Sequence, residues 1–537
     1  MRSRNHGVWL AVAVVVLSAL LGGLYGSRVE ATVAGDSEVQ QAIRRFTKVY
    51  AIIEQQYADP VDPQRVIFDG AIPGMLRSLD PHSHFLNSRA YSLLREEQRG
   101  HYYGVGMQVA PRDGRTIVLA PFVGSPAYEA GLRPGDIIFR VDGTATENLT
   151  TSEVADLLKG PKGTVVRVEV LREGHDQPLK FTITRAEIPR YSVEFYFEIR
   201  PRVGYIRLTS FNENTHAELA AALDDLNPDR LEGLLLDLRG NPGGLLAEGV
   251  AVADMFLEKN QLIVSHRGRA QRPRSYYARH GNRGREFPMV ILLDRLSASA
   301  AEIVAGALQD HDRALIVGEN SFGKGLVQTV YPLSHNTGLA LTTARYYTPS
   351  GRLIQRDFTS LTLYEYYAGQ NSDENQRQEV YSTDSGRTVY GGGGITPDVE
   401  VPTRELNDFQ ETLVNKVIIY PWEVGIGDFA KRYIANHPNI TEDFEVDESV
   451  LNDFRRYLTE RNVRFTEIDI QENREWLQWR IKKEIFISAF GLDRGRRVAS
   501  LGDSQILRAI ELLPQAKALR ENARRVIVRQ RQRQNQN

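Results

Sequence analysis

The sequence predicts an α+β multidomain protein: an N-terminal helical region, a small β-rich domain, an α/β domain and a helical C-terminal region. Three observations predict it. At 537 residues the chain is too long for one ordinary core. Between residues 100 and 186, short apolar runs bounded by Gly and Pro mark a compact β domain. From residue 203 to residue 402, buried-strand runs alternate with stretches of helical periodicity, the pattern of a sheet covered by helices.

Taken in order, Arg2 and Arg4 precede an apolar run over residues 8–24, near the lower limit for spanning a bilayer and long for a signal core. Residues 1–27 are therefore expected to be an uncleaved membrane anchor with a cytoplasmic N-terminus. The rest of the chain then lies on the periplasmic side of a bacterial inner membrane. The alternative is a cleaved signal, with Thr32-Val33-Ala34 as a weak processing site and a soluble periplasmic product. Residues 37–99 form a helical region, opened by Val39, Ile43, Phe46, Val49, Ile52 and Ile53 at helical spacing and continued by a second stretch over 63–79. Asp80-Pro81-His82-Ser83-His84-Phe85 breaks that pattern. Its two histidines have metal-ligand spacing, but a turn before the next domain is the favoured reading.

Residues 100–186 contain a strand opened by Gly104-Val105-Gly106-Met107-Gln108-Val109 and another at Thr116-Ile117-Val118-Leu119. The string from Gly124-Ser125-Pro126 to Asp136-Ile137-Ile138 reads as short helix, turn and strand, continued by Val141-Asp142-Gly143. This string resembles a PDZ domain. Such domains add a ligand strand at a sheet edge and hold its terminal carboxylate with backbone N–H groups of a glycine-containing loop. Tyr103-Gly104-Val105-Gly106 matches that loop, and Val105, Met107 and Val109 are expected to flank the pocket for the last ligand side chain.

The α/β domain, residues 187–402, has compact strands at 204–208, 234–238 and 289–293, with helical periodicity following residues 245 and 298. Ser299 falls just after the third strand, where a helix begins. The free N–H groups of a helix start stabilise an oxyanion, and Ala300 offers such an N–H beside the hydroxyl. Taken alone, Ser299 or Ser297 is an ordinary helix cap. Lys324, flanked by Gly323 and Gly325, supplies the missing base if its environment populates the neutral amine. Gln328 shares its face if a strand begins there. No complete phosphate-loop pattern surrounds the lysine.

These residues, their spacing, Asp237-Leu238-Arg239-Gly240-Asn241-Pro242-Gly243-Gly244, Thr348-Pro349-Ser350-Gly351 and Gly394-Ile395-Thr396-Pro397-Asp398 together resemble the carboxyl-terminal processing (tail-specific) protease family over residues 40–402. The resemblance implies a crotonase-like α/β core, interrupted or preceded by the PDZ domain, with Ser299 as nucleophile, Lys324 as general base and Gln328 as its orienting partner. It further implies Gly243 or Gly244 with Ala300 as oxyanion donors and Asp310 as a supporting acid. Two positions depart from the family pattern: Ala301 stands where many members carry serine, and Leu296 where glycine is frequent. A Ser-His-Asp triad is disfavoured because His311, nearest in sequence, falls a full helix away from Ser299.

Residues 403–519 read as helices over 409–419, 450–460, 470–486 and 503–519, with no chemical motif. Residues 520–537, with Arg520, Arg524, Arg525, Arg529, Arg531 and Arg533 among Gln and Asn, read as a solvated basic tail. With 66 basic against 68 acidic residues, the charge balance argues against nucleic acid as a partner. The absence of cysteine excludes disulfides and thiolate chemistry, and no cofactor or metal is expected. The expected partners are polypeptides with accessible C-termini, an adaptor protein, further copies of the chain through unburied helical faces, and the membrane through the N-terminal segment.

Overall fold

The computed structural model describes residues 36–359, 362–368, 379–419 and 425–534, so the expected anchor at 1–27 lies outside the described residues. No described helix is long and apolar enough to cross a membrane. The chain divides into two compact units, with the boundary between Ser78 and Leu79.

The first unit is helical, as its periodicity predicts. Asp36–Gln56 is one α-helix with Val39, Ile43, Phe46, Val49, Ile52 and Ile53 all exposed. A π-helical turn, Arg65–Ala71, follows and runs into the α-helix Ile72–Arg77.

The second unit, from Leu79, opens its α/β core with a short strand. His84–Leu86 pairs antiparallel with Gly338 to Ala340, and Asn87 caps the helix Ser88–Arg99 by accepting the Ala90 N–H. Residues 84–99, grouped by sequence with the N-terminal helices, therefore belong to the core: a three-residue strand is too short to show a period. The strand His101–Gly104 then pairs with Ala186–Pro189, closing the entrance and exit of an inserted domain. The core is interrupted by the PDZ domain rather than preceded by it.

Within the insertion, Met107–Arg112, Arg115–Pro121, Ile137–Val141, Val165–Leu171 and Leu179–Thr184 form an antiparallel sheet in that order. Its core holds Val118, Ile138, Val154, Val166 and Val168. The helix Thr151–Leu158 carries a full capping box between Thr150 and Glu153.

The main sheet of the core runs Val193–Arg200, Val203–Leu208, Gly233–Asp237, Met289–Leu293, Leu315–Gly318, Val399–Glu400. Only the first pair is antiparallel. Gly233–Asp237 and Met289–Leu293 are buried along their whole length, which is why they read as unbroken apolar runs. One face is covered by the helices Thr215–Asp225, Leu246–Asp254 and Ala300–Asp310. A second sheet joins His84–Leu86, Leu262–Arg267, Arg274–Tyr277 and Leu326–Leu333 around the long strand Thr337–Tyr347.

The opposite face of the main sheet is covered by the last two helices, Ser504–Glu511 and Leu513–Gln534. There Ile506, Ala509, Leu512, Leu513 and Ala516 pack on Tyr205, Leu235, Val290 and Leu292. The solvated tail expected from residue 520 onward is thus corrected: helix continues to Gln534, and Ala516 and Ala523 are buried on it at helical spacing. Arg520 is 9% exposed and donates to the backbone and carboxylate of Glu286, which Arg524 also reaches. The helix expected over 503–519 is split because Pro514 has no N–H to carry the ladder across. The helix expected over 470–486 is divided at Asn473, whose side-chain Oδ1 accepts from Asn407 Nδ2 and Gln410 Nε2. The helices from Asp408–Ile419 to Leu492–Leu501 surround their own core of Phe429, Phe454, Leu458, Leu477 and Ile481.

Candidate active site

Ser299 occupies the turn between the strand Met289–Leu293 and the helix Ala300–Asp310, with φ of +55°. A serine held in this left-handed region stores on the order of 1–3 kcal/mol of backbone strain, so the surroundings must fix it. Ser297 is part of that fixation and no rival nucleophile: it is fully buried, and its hydroxyl donates to Leu238 O at 2.9 Å.

Two buried side chains clamp the Ser299 backbone to that of Lys324. The Glu302 carboxylate accepts the N–H of Ser299 (2.7 Å), Lys324 (2.9 Å) and Gly323 (2.7 Å), and the Ser321 hydroxyl (2.6 Å). On the other side the Tyr346 hydroxyl shares its proton between Ser299 O and Lys324 O. Glu302 stands three residues after Ser299, a legible helix-start pattern. Tyr346 had no signal in the sequence.

The Lys324 amine is pushed below the ordinary lysine range by burial, an effect opposed by the negative charges of Glu302 and Asp80. It donates to Gln328 Oε1 at 3.0 Å, the pairing expected from the sequence. Among the described residues no hydrogen bond joins Lys324 Nζ to Ser299 Oγ. Gln328 Nε2 in turn donates to the backbone oxygen of His82. The Asp80-to-Phe85 segment is therefore a wall of the site. Asp80 folds it by accepting the N–H of His82 (2.8 Å) and Ser83 (2.7 Å). Burial first, then the Lys324 charge, pushes the His82 imidazole down to about 4. His82 is therefore neutral at physiological pH, and its Nε2 is hydrogen-bonded with the Tyr366 hydroxyl at 2.8 Å. Among the described residues no group of three or more His, Asp and Glu is arranged to hold a metal ion.

Ser299, Lys324, Gln328, Gly243 and Gly244 line one cavity of about 630 Å3, together with apolar Leu94, Leu246, Ile303, Leu326, Val327 and Val330. Gly243 meets the Ser299 turn closely. A Cβ there would lie 2.7 Å from both Ala298 O and Ser299 Cβ, and one at Gly244 would lie 2.0 Å from Phe211 O. The Gly243 N–H donates to Asn241 Oδ1 at 2.8 Å, so this amide is already engaged. Ala300 is buried at the first turn of the helix, and Ala301 beside it is core. Leu296 is 58% exposed and does not line the cavity.

Asp310 lies at the far end of the same helix. It accepts Arg352 Nη2 (2.8 Å) and Ser350 N (2.9 Å), supporting the Thr348 to Gly351 turn at a distance from Ser299. His311 follows it and bonds Asp384 and Leu262 O, away from the serine. The only histidine on the cavity wall among the described residues is His84, whose Nδ1 donates to His82 O.

In the inserted domain Met107–Arg112 is an edge strand beside the helix Thr151–Leu158, an arrangement open to strand addition. Gly106, at φ of +76°, would place a Cβ 2.5 Å from Ser125 Cβ, so glycine is required there. Tyr103 is 37% exposed and Gly104 ends its strand, while the side chains of Val105 and Met107 belong to the domain core. Tyr103, Gly104, Val105, Gly106 and Met107 do not line the Ser299 cavity.

Comparison with known proteins bears on this arrangement. A carboxy-terminal-processing protease of Bartonella bacilliformis is 39% identical over 354 residues, covering 65% of this chain and 78% of that protein. The chain belongs to the carboxy-terminal processing protease family. Carboxy-terminal processing protease CtpB of Bacillus subtilis is 34% identical over 332 residues, covering 61% of the chain and 68% of that protein. The peptidase family S41 model matches residues 202–360, a span holding Ser299, Lys324, Gln328, Gly243, Gly244 and Asp310. A PDZ domain model matches residues 117–172, beginning after the Tyr103-to-Met107 loop. The models for the activating protease CtpB N-terminal domain and for a PDZ-protease C-terminal helical domain match residues 25–90 and 423–468. A solved photosystem II D1 C-terminal processing protease is 32% identical, covers 66% of this chain and 86% of that one, and superimposes with a TM-score of 0.36. This family member is therefore a serine-type peptidase with a PDZ domain in its core.

Proposed function

We propose that this family member is a serine endopeptidase that processes the C-terminal regions of envelope proteins, with Ser299 as nucleophile and Lys324 as general base. The observation that carries the reading is the double clamp by Glu302 and Tyr346, which couples the two backbones at one cavity. Lys324 Nζ takes the Ser299 proton as Oγ attacks the scissile carbonyl, and returns it to the leaving amine. Water then releases the acyl-enzyme by the same route. Gln328 orients the amine. With the Gly243 amide engaged by Asn241, the N–H groups of Gly244 and Ala300 are the proposed oxyanion donors, while Gly243 permits the close approach. The apolar part of the cavity wall, from Leu94, Leu246, Ile303, Leu326, Val327 and Val330, favours nonpolar substrate side chains. The PDZ loop at Tyr103–Met107 and its open edge strand receive the substrate tail and gate cleavage.

The test compares the full chain with Ser299→Ala and Lys324→Ala on a protein carrying an unstructured, nonpolar C-terminal tail. Cleavage by wild type alone is expected; equal cleavage by all three would end the assignment. One observation favours a second reading, a catalytically silent PDZ scaffold: Lys324 Nζ is bonded to Gln328 and not to Ser299 Oγ. Tight tail binding without turnover, with no fluorophosphonate labelling of Ser299, would decide for the scaffold.

The apolar run over residues 8–24 supports an envelope location on the periplasmic side, anchored or released. The exposed side chains Val39, Ile43, Phe46 and Ile53, spaced by three, four or seven residues, support self-association through the first helix or docking of an adaptor. The full chain is expected to sediment as an oligomer and Phe46→Asp as a smaller species. An unchanged mass for that variant would remove the helix from the interface.

A further inference from the structure

The loop that carries Gly243 and Gly244 begins at Arg239, whose guanidinium faces two ways. Nε and Nη2 donate to the Asp237 carboxylate at 3.0 and 2.6 Å. Nη1 points to the C-terminal helices, donating to Asp503 Oδ2 at 2.9 Å and to Gln505 Oε1 at 2.6 Å. These partners lie 264 and 266 residues further along the chain. They are themselves fixed. Asp503 caps the helix Ser504–Glu511 by accepting the N–H of Gln505 and Ile506, and Gln505 Nε2 donates to Val401 O at 2.6 Å. The Arg239 side chain is only 16% exposed, so water is a poor substitute for these acceptors.

Beyond Arg239 the loop is stapled to the Ser299 turn. Gly240 N donates to Asp294 Oδ1 (2.8 Å) and Ala298 N to Asn241 O (2.9 Å). Asn241 Nδ2 reaches Leu208 O at 2.9 Å, and its Oδ1 accepts Gly243 N. An unbroken set of short contacts thus connects the last helices to the backbone beside the nucleophile. Asp237, the other anchor of Arg239, is fully buried; burial alone would raise its carboxyl, but Arg239 and Arg207 outweigh that and hold it at about 2. It cannot release Arg239 by protonation near neutral pH. The variable end of the link is the one at Asp503 and Gln505.

We propose that Asp503 and Gln505 are positioning residues of the active site, holding Arg239 and thereby the 238–244 loop in the register that aims its N–H groups at the oxyanion. This rests on the reading of Ser299 as nucleophile. The helical region after the core then has a defined part in the chemistry: whatever binds or displaces the last two helices changes turnover through Arg239. Because the oxyanion exists only during reaction, misaligned donors lower kcat and leave KM nearly unchanged.

The test uses the full chain with Asp503→Ser, which still caps the helix but is too short to reach Arg239, and Asp503→Asn, which keeps the reach and loses the charge. A small loop displacement is expected to lower kcat about tenfold in Asp503→Ser with KM within about twofold, and less in Asp503→Asn. Hydrogen exchange of the 238–244 amides should accelerate by about tenfold in the serine variant, while the thermal midpoint stays near wild type. Wild-type kcat together with wild-type loop exchange in Asp503→Ser would overturn the proposal. So would a kcat loss accounted for entirely by a smaller titratable Ser299 fraction. Ser299→Ala is run alongside: retained turnover there would sink the nucleophile reading. The exchange measurement would still decide whether Asp503 holds the loop.

Discussion

Replacing Lys324 with methionine is expected to lower kcat by about a thousandfold, the usual contribution of a positioned general base, with KM little changed. Methionine matches the length of the side chain and removes only the amine. The half-buried site should tolerate the exchange, so folding is not the cause of the loss. The sign of the pH dependence follows from burial. Desolvation lowers the Lys324 pKa, so the neutral, proton-accepting amine becomes available below the ordinary lysine range. The wild-type rate should therefore rise with pH to a midpoint beneath that range, and the methionine variant should lack this limb. A variant retaining more than about a tenth of wild-type kcat, with its limb intact, would exclude Lys324 as the base.

Glu302→Gln is expected to be the most damaging single-atom change in the site. The carboxylate accepts from Ser299 N, Lys324 N, Gly323 N and Ser321 Oγ, two partners on each oxygen. A carboxamide can present only one oxygen, so two buried donors must face an NH2 group. The Ser321 hydroxyl can turn to accept from that NH2, so the backbone N–H of Gly323 is the donor left unpaired, a loss of about 1–3 kcal/mol of stability. The clamp on Ser299 and Lys324 loosens with it, so kcat should fall as well. Removing the negative charge has an opposite and separable signature. Glu302 raises the Lys324 pKa, so without it the alkaline limb should move to lower pH even as the maximum rate drops. Denaturant unfolding and the pH profile read the two effects independently. Wild-type stability with an unmoved limb would show that Glu302 is neither clamp nor charge partner.

The parts of this site that were legible in the sequence are those made by neighbours in the chain. A strand run ending at Leu293, a serine at the next helix start and a lysine between glycines are local patterns, and the structure puts Ser299 and Lys324 on one cavity. Gln328 was legible because four residues of near-extended chain return a side chain to the same face. The rest depended on distant pairing. His82 reaches Gln328 across 246 residues, and nothing in the Asp80 to His84 turn announces that partner. Tyr346 meets both Ser299 and Lys324 only because the second sheet packs there.

The C-terminus failed for another reason. Its arginines dominate the composition, while the buried apolar side chains described on the last helix are Leu513, Ala516 and Ala523, too sparse a stripe to outweigh the charge. Whether the PDZ domain interrupts or precedes the core stays open in the sequence, because the core strand before it has only three residues.

Attack by Ser299 with proton transfer to Lys324 is read directly by the pH dependence of covalent labelling with a fluorophosphonate. The full chain is labelled across a pH series and the adduct located by peptide mass. One adduct is expected, on Ser299, forming faster as pH rises to a midpoint below the ordinary lysine range, with the rise abolished in Lys324→Met. An adduct that persists in Ser299→Ala, or a pH profile that Lys324→Met leaves unchanged, would contradict it.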